Sequence, residues 1–412
     1  MVFDFKRDKR YGRCEYCDRY NTSKAWCVSC NPLIATQGWT SGNKNVDDCI
    51  KELQLEAKMY DELIEWIPFE KLDGIQGINE GKWESVFIAT WLDGKRTVSY
   101  ADLKYTQHRT PSYVVALKKL PSTHQDFLQE FKNYSRLRHK GSKLEVYGMT
   151  QDKTNNEYLM VFQYVNRGSL CKFLSTNFNE LNWKIKLEQL TDISGDLAQI
   201  HEAGYVHCNL HSDNILQHQF IGDNLKSYIS GLGLIKKIED SCVNEYLYGV
   251  LPYIAPEVLI KRTYTPAADI YSFGIIMAEL STGIPPYYDA EHDEWLAIEI
   301  CNGLRPEFSK DTPECYINLA NRCMDANPSN RPNAKEIYNE LNNWNHIISK
   351  SWNNVIDDLS WNNHKSEIKK AFQSANNVIS ELITKPQSNF QDKFVSKLLN
   401  FKNLPEPVNK QQ

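Results

Sequence analysis

No run of apolar residues in the 412-residue chain approaches the roughly 20 that a membrane-spanning helix needs, so no membrane partner is expected. The first ten residues, Met1 to Arg10, are charged and contain no apolar core, which excludes a secretory signal at that end. Strong charge of either sign is also missing. The balance of 47 Lys and Arg against 52 Asp and Glu leaves a net charge of -5, which offers no basic surface for nucleic acid. The rest of the composition is that of an ordinary globular protein long enough for two or three domains with one large core.

What the chain does have is eleven cysteines. Without a secretory signal these read as reduced thiols of the cytoplasm or nucleus. Cys14 and Cys17 form one CxxC pair, nine residues follow, and Cys27 and Cys30 form a second. Four soft thiolates at that spacing suit one closed tetrahedral zinc site. Residues 1–33 are too few to bury a core, so a metal would supply the folding energy. The alternatives are an unstructured cysteine-rich tail or two disulfides. No open coordination position remains for catalysis, so the zinc is read as structural.

Residues 43–61 read as a connecting helix within a linker of 43–65, with Asn45 as N-cap, Asp47 and Asp48 in the first turn, and Pro68 as the stop. Residues 84–91, 113–118 and 157–164 are strand-like, with a helical stretch at 127–137 between the last two. Beyond Gly168 the pattern turns helical. Ile185, Leu187, Leu190, Ile193, Leu197 and Ile200 recur near the helical period over residues 183–203.

Several short stretches carry chemistry. Val115-Ala116-Leu117-Lys118 resembles the V-A-I-K strand of protein kinases, and Glu130 lies on the following helix. Residues 205–216 contain His207 and Asn214 at the spacing of the kinase catalytic loop H-R-D-x-x-x-x-N. Tyr253-Ile254-Ala255-Pro256-Glu257 resembles the A-P-E segment, and Asp269 and Arg331 follow in the expected order. The resemblance is to the protein kinase domain, and over nearly the whole chain to kinase-like fungal proteins with an N-terminal four-cysteine segment. It implies an α+β, two-lobed fold over residues 69–344. The first lobe would hold an antiparallel sheet and one helix, the second would be helical, and the four-cysteine zinc segment would precede both.

By that resemblance Lys118 pairs with nucleotide phosphates and is oriented by Glu130. Val86, Ala116 and Leu216 sandwich adenine, Gln163 and Val165 form the hinge after Phe162, and Asp269 caps the catalytic-loop backbone. The departures sit at the chemistry. Cys208 replaces the arginine, and Asn209 replaces the aspartate that accepts the substrate proton. Gly231 stands where a metal-holding aspartate is expected, in Ser230-Gly231-Leu232-Gly233, with Leu232 in place of phenylalanine. The phosphate-covering loop shows Asn79, Gly81 and Glu84 where three glycines are expected, so only Gly81 remains. His211 and Val250 replace the lysine and threonine usual in Ser/Thr kinases, so the residues assign neither Ser/Thr nor Tyr as acceptor.

These substitutions imply a pseudokinase acting through a protein partner, with weak ATP binding, little use of magnesium, and Asn214 as the surviving metal-site residue. An active atypical kinase is the alternative. In residues 345–412, Ile368, Phe372, Ala375, Ile379, Leu382 and Ile383 stripe one helix face. The polar stretch from Lys385, with Pro386, Pro405 and Pro407, is expected to be disordered.

Overall fold

A computed structural model describes residues 6–78, 86–120, 124–140, 143–222, 224–239, 247–349, 359–378, 394 and 396–409. The chain divides into two units, Met1–Tyr164 and Val165–Gln412.

In the first unit the cysteine segment folds as two tight knuckles. The Asp18 N–H bonds Cys14 O, and the Cys30 and Asn31 N–H groups bond Cys27 O, each turning the chain so that both thiols of a pair face inward. Helices α1 (Asn31–Ala35) and α2 (Lys44–Glu56) follow. The cap of α2 is Asn43, whose side chain accepts from the Asn45 N–H, not Asn45 as expected. The helix also stops at Glu56 instead of running to residue 61. Ala57 turns extended there, and a separate 3-10 turn at Tyr60–Glu62 brings Tyr60 against Trp26 and Leu63.

Strands β1 (Glu65–Trp66), β2 (Leu72–Gly77), β3 (Val86–Trp91), β4 (Lys95–Ala101), β5 (Lys104–Thr110) and β6 (Tyr113–Lys119) come next. Then come α3 (His124–Lys140), β7 (Val146–Asp152) and β8 (Glu157–Gln163). The main sheet has the order β1-β7-β8-β6-β3-β2. Its pairings are antiparallel except β1 with β7, which is parallel. Trp91, Val115, Leu117, Tyr147 and Val161 fill its apolar face.

The β4–β5 hairpin is a separate two-stranded sheet that the sequence reading passed over, because its residues alternate weakly between polar and apolar. Gln107 Nε2 donates to Ala25 O, and Val98 packs with Trp26 and Tyr60, so the hairpin supports the cysteine segment. Helix α2 braces α3 through Glu52, which lies 2.6 Å from Lys132 and 2.5 Å from Arg136.

The second unit begins with α4 (Leu170–Asn177) and α5 (Trp183–Glu202), capped by Ser169 and Asn182. Four short strands follow: β9 (Tyr205–Val206), β10 (Ile215–Gln219), β11 (Leu225–Ile229) and β12 (Lys236–Lys237). Next are β13 (Leu247–Gly249), α6 (Pro256–Lys261), α7 (Pro266–Thr282), α8 (Glu294–Cys301), α9 (Glu314–Cys323) and α10 (Ala334–Ser349). Helix α7 is buried on every side from Ala268 to Ser281, which is why its sequence shows little amphipathic period.

The last elements are α11 (Leu359–Val378) and β14 (Lys397–Leu399). The apolar stripe on α11 is docked: Phe372 meets the rings of Trp183 and Trp344 at 5.6 and 5.8 Å. Ile379, Leu382 and Ile383 lie outside the described residues. The expectation of disorder beyond Lys385 differs from the structure at 396–409. There β14 pairs antiparallel with β13, and the chain continues to Val408, whose N–H bonds Cys301 O. Its polarity is explained by the hydrogen bonds it makes to distant residues, which local composition does not register. Among the described residues no helix is long and apolar enough to cross a membrane.

Candidate functional site

The expected site residues fall in both units, and each set is built separately. In the first unit, β3 and β6 pair with Val86 opposite Lys118 and Ile88 opposite Ala116. Side chains two apart on a strand share a face, so Val86, Ala116 and Lys118 are placed on one face of the sheet. Helix α3 buries Phe127, Phe131 and Tyr134, and the same face carries Glu130. Lys118 Nζ and Glu130 Oε1 lie 3.2 Å apart and both side chains are largely buried, so the pair is shielded from solvent screening. The ammonium also sits 5.8 Å from the Tyr134 ring. Gln163 ends β8, its N–H bonded to Glu145 O. Gly81, with Asn79 and Glu84, lies outside the described residues.

The cysteine segment brings four sulfur atoms together, from Cys14, Cys17, Cys27 and Cys30, all within 4.8 Å of one another. Four thiolates about 2.3 Å from a tetrahedral zinc would stand about 3.8 Å apart. The Cys17 and Cys27 sulfurs are 3.9 Å apart, so the donor set fits that ion. Arg7 Nη1 donates to Cys27 Sγ at 3.5 Å. Burial raises the Cys27 thiol, but the Arg7 bond, the Ser29 N–H and the neighbouring thiols outweigh it and bring the pKa down to about 6.

In the second unit the loop after β9 hangs from one carboxylate. Asp269, in the first turn of α7, accepts from the N–H of His207 at 2.8 Å and of Cys208 at 3.0 Å, and meets His201 Nε2 at 2.9 Å. These bonds hold Cys208 in the left-handed region at φ 67°, a strained conformation for a side-chain-bearing residue. His207 Nε2 contacts Ser230 O at 2.7 Å and so ties the loop to residues 230–232.

Asn209 follows, and its N–H points to His207 Nδ1. Asn214 is turned inward: its Nδ2 donates to Asn209 O at 2.8 Å and lies 2.9 Å from His211 Nε2. Burial, helped by His207, pushes the His211 pKa down to about 3, so the ring is neutral at physiological pH. Asp213 points elsewhere, accepting from Ser169 Oγ at 2.8 Å. Leu216, the second residue of β10, pairs with Tyr228 of β11 and bridges to Ser169. Val165 is half-buried at the start of this unit.

Gly231 adopts φ 76° and ψ 30°. A Cβ there would stand 2.3 Å from Asn214 Cγ and 2.4 Å from both terminal atoms of that amide. The carboxylate missing at 231 is therefore more than a deleted group, because the Asn214 side chain fills the space it would enter. These residues do not fit a magnesium ion. Leu232 is buried and keeps the apolar packing.

Below the loop Arg331 makes two 2.7 Å bonds to Glu257, and its donors also reach Ala267 O and Asp325 O. This buried pair holds α6 as a scaffold element. One neighbour escaped the sequence reading. Ser396 Oγ accepts from Asn209 Nδ2 at 3.2 Å and lies 3.4 Å from Asn209 Oδ1, across a separation of 187 residues. No local pattern signals such a contact.

Residues 73–341 match the family model described as "Protein tyrosine and serine/threonine kinase". The chain is similar to two Dictyostelium discoideum proteins, "Probable serine/threonine-protein kinase drkA" and "Probable serine/threonine-protein kinase drkB". Identity is 26% in each case, over 272 residues (64% of this chain, 38% of that protein) and 295 residues (70% and 38%). It is also 30% identical over 192 residues to "Cyclic GMP-binding protein C" of the same organism, covering 43% of this chain and 7% of that protein. The chain thus spans well under half the length of these relatives.

Proposed function

The chain belongs to the protein tyrosine and serine/threonine kinase family, and from that premise we propose that it is a pseudokinase: a kinase-shaped module that acts by binding a protein partner. The observation that carries this reading is the pair Asn209 and Gly231, with the Asn214 amide packed where a second carboxylate would stand. An amide does not take up a proton at neutral pH, and general-base catalysis is worth roughly 10²–10⁴ in rate. Glycine offers no ligand, and the half-buried Asn214 is committed to Asn209 O and His211. Phosphoryl transfer relies on positioning and electrostatic stabilisation acting together, and here the positioning groups survive while the stabilising ones do not.

The Lys118–Glu130 pair supports retained nucleotide binding, with Lys118 on the phosphates and Val86 and Ala116 against the base. Binding is weak, because two of the three expected phosphate-loop glycines are replaced and Gly231 offers no ligand to a metal that would bridge the phosphates. The same ion pair favours a second reading, an active atypical kinase that transfers the ATP γ-phosphoryl to Ser, Thr or Tyr of a protein. Phosphotransfer assays with the purified full chain and a peptide pool separate the two. The expected result is no transfer above background, and ATP affinity by calorimetry that changes little when magnesium is added. Transfer that Lys118→Ala abolishes, or strongly magnesium-dependent binding, overturns the pseudokinase reading.

The four thiols are read as a structural zinc site. A zinc ion bound there would supply folding energy to a segment with little core of its own. Thiolate ligation suits a reducing compartment, the cytoplasm or nucleus.

A further inference from the structure

The β4–β5 hairpin stands outside the main sheet and has two unlike faces. Its cross-strand pairs put Val98 opposite Gln107 and Tyr100 opposite Tyr105. Residues two apart on a strand share a face, so the face that meets the cysteine segment continues outward into the two tyrosines. At the inner end Val98 packs with Trp26 and Tyr60. At the outer end the Tyr100 and Tyr105 rings lie 4.8 Å apart, Tyr11 meets Tyr105 edge-on at 6.2 Å, and Lys24 Nζ stands 5.8 Å from the Tyr105 ring centre. Tyr100 is 58% exposed, so this aromatic row ends in solvent. The turn beside it is built against local preference. Ala101 pairs with Lys104, so Asp102 and Leu103 form a two-residue loop, at φ 51° and 60°. Asn-Gly fills such a loop best, because both positions are left-handed. Aspartate tolerates that region and leucine does not. Leu103 is also 90% exposed. It neither eases the turn nor fills a core, so local folding gives no reason for a leucine there. An exposed leucine beside a row of tyrosines is the pattern of a contact patch.

The charges around the patch select its occupant. Within residues 6–30 and 95–110, Lys9, Arg19, Lys24 and Lys104 make no ion pair, while Asp8 and Asp18 are taken up by Arg10 and Arg13. Glu15 and Asp102 are the carboxylates left without a cation there. Cations therefore outnumber acids on this surface, although the chain as a whole carries a net charge of -5. That net charge disfavours a polyanion such as nucleic acid and leaves a local match for a short acidic segment. We infer that Tyr11, Tyr100, Leu103 and Tyr105, rimmed by Lys24 and Lys104, dock an acidic segment of a partner protein that carries an apolar anchor. The tyrosines and Leu103 receive the anchor, and the lysines face the carboxylates around it. The inference rests on reading the chain as one that acts through a protein partner. It uses none of the residues assigned to nucleotide binding or phosphoryl transfer.

The test presents a displayed library of short random peptides to the full chain, purified without chelator. Enriched sequences should be rich in Asp and Glu around an aromatic or aliphatic residue, and their affinity should fall with added salt. Leu103→Gly should weaken that binding about tenfold or more. The same change should leave stability to urea equal or higher, because glycine suits a left-handed turn. A residue with only a structural role would not separate the two readouts. Lys24→Glu combined with Lys104→Glu should weaken the same peptides about tenfold through charge, and it carries the test if Leu103→Gly disturbs the hairpin. Enrichment without acidic bias, no enrichment, or affinity untouched by either variant overturns the inference. So does tighter capture of a single-stranded oligouridylate by the same residues. None of these readouts involves phosphoryl transfer, so a chain that proved active would sink the pseudokinase reading without altering this result.

Discussion

Asn209 and Gly231 differ in how far a single substitution could reverse them. Asn209 is nearly isosteric with aspartate, and the backbone bonds that hold its loop come from Asp269, not from its own side chain. Gly231 is another matter, because its left-handed backbone and the Asn214 amide both oppose a side chain. Gly231→Asp should therefore destabilise the chain by about 1–3 kcal/mol, and Gly231→Ala should do so by a similar amount. The double change Asn209→Asp with Gly231→Asp should gain no phosphotransfer. Urea unfolding and a radiometric assay read the two effects. Unchanged stability in Gly231→Ala, or transfer by the double variant, would show that Asn214 yields easily.

Among the elements, the cysteine segment depends most on something outside its own sequence. Its apolar support comes from Trp26 packed with Ala57, Tyr60 and Leu63, which is small compared with the core of either unit. Native mass spectrometry of protein purified without chelator should show one zinc, and a strong chelator should remove it. Removal should expose Arg13 and Arg19 to rapid tryptic cleavage while α7 and α10 stay protected. A metal-free segment of equal protease resistance, or disulfides within it, would contradict the zinc reading. Helix α2 shows the limit of local reasoning at this scale. Its existence and apolar stripe were readable and its cap was misplaced by two residues, but its end at Glu56 follows from the docking of Tyr60 against Trp26, a contact made across 34 positions of chain.

At the scale of the whole molecule, two buried ionisable groups set opposing pH dependences. Lys186 is fully buried with its ammonium 4.0 Å from the Phe178 ring centre and 5.0 Å from that of Trp183, and burial lowers its pKa from 10.5 to about 7. The unfolded chain holds that proton more tightly, so this group's contribution to stability is present above pH 10.5 and is lost as pH falls to 7. Glu279 is also buried, and desolvation raises its pKa from 4.5 to about 8 despite the hydrogen bond from Tyr253. Its contribution runs the other way, present below pH 4.5 and lost as pH rises through 8. Lys186→Met and Glu279→Gln should each raise the unfolding free energy read from urea titration near pH 7.5, by about 1–3 kcal/mol. The first gain should fade toward pH 10.5 and the second toward pH 4.5. A pH-independent gain in either variant would locate its cause in packing instead of charge.

The family and the two-lobed architecture were legible in the sequence alone, because each depends on short motifs whose neighbours in sequence are their neighbours in space. The CxxC pairs were legible for the same reason. Lys118 and Glu130 were matched across one strand and one helix, a separation that local periodicity still reports, and the structure brings them to 3.2 Å. Other features were decided only by the tertiary fold. The Asn214 amide fills the space beside Gly231, the β4–β5 hairpin supports the cysteine segment, and the tail beyond 396 is ordered against β13 with Ser396 at Asn209. Each depends on residues far apart in the chain meeting through backbone hydrogen bonds or close packing. The β13–β14 bonds use backbone groups that every residue carries, and the side-chain contacts join partners too far apart in the chain for a local pattern to record.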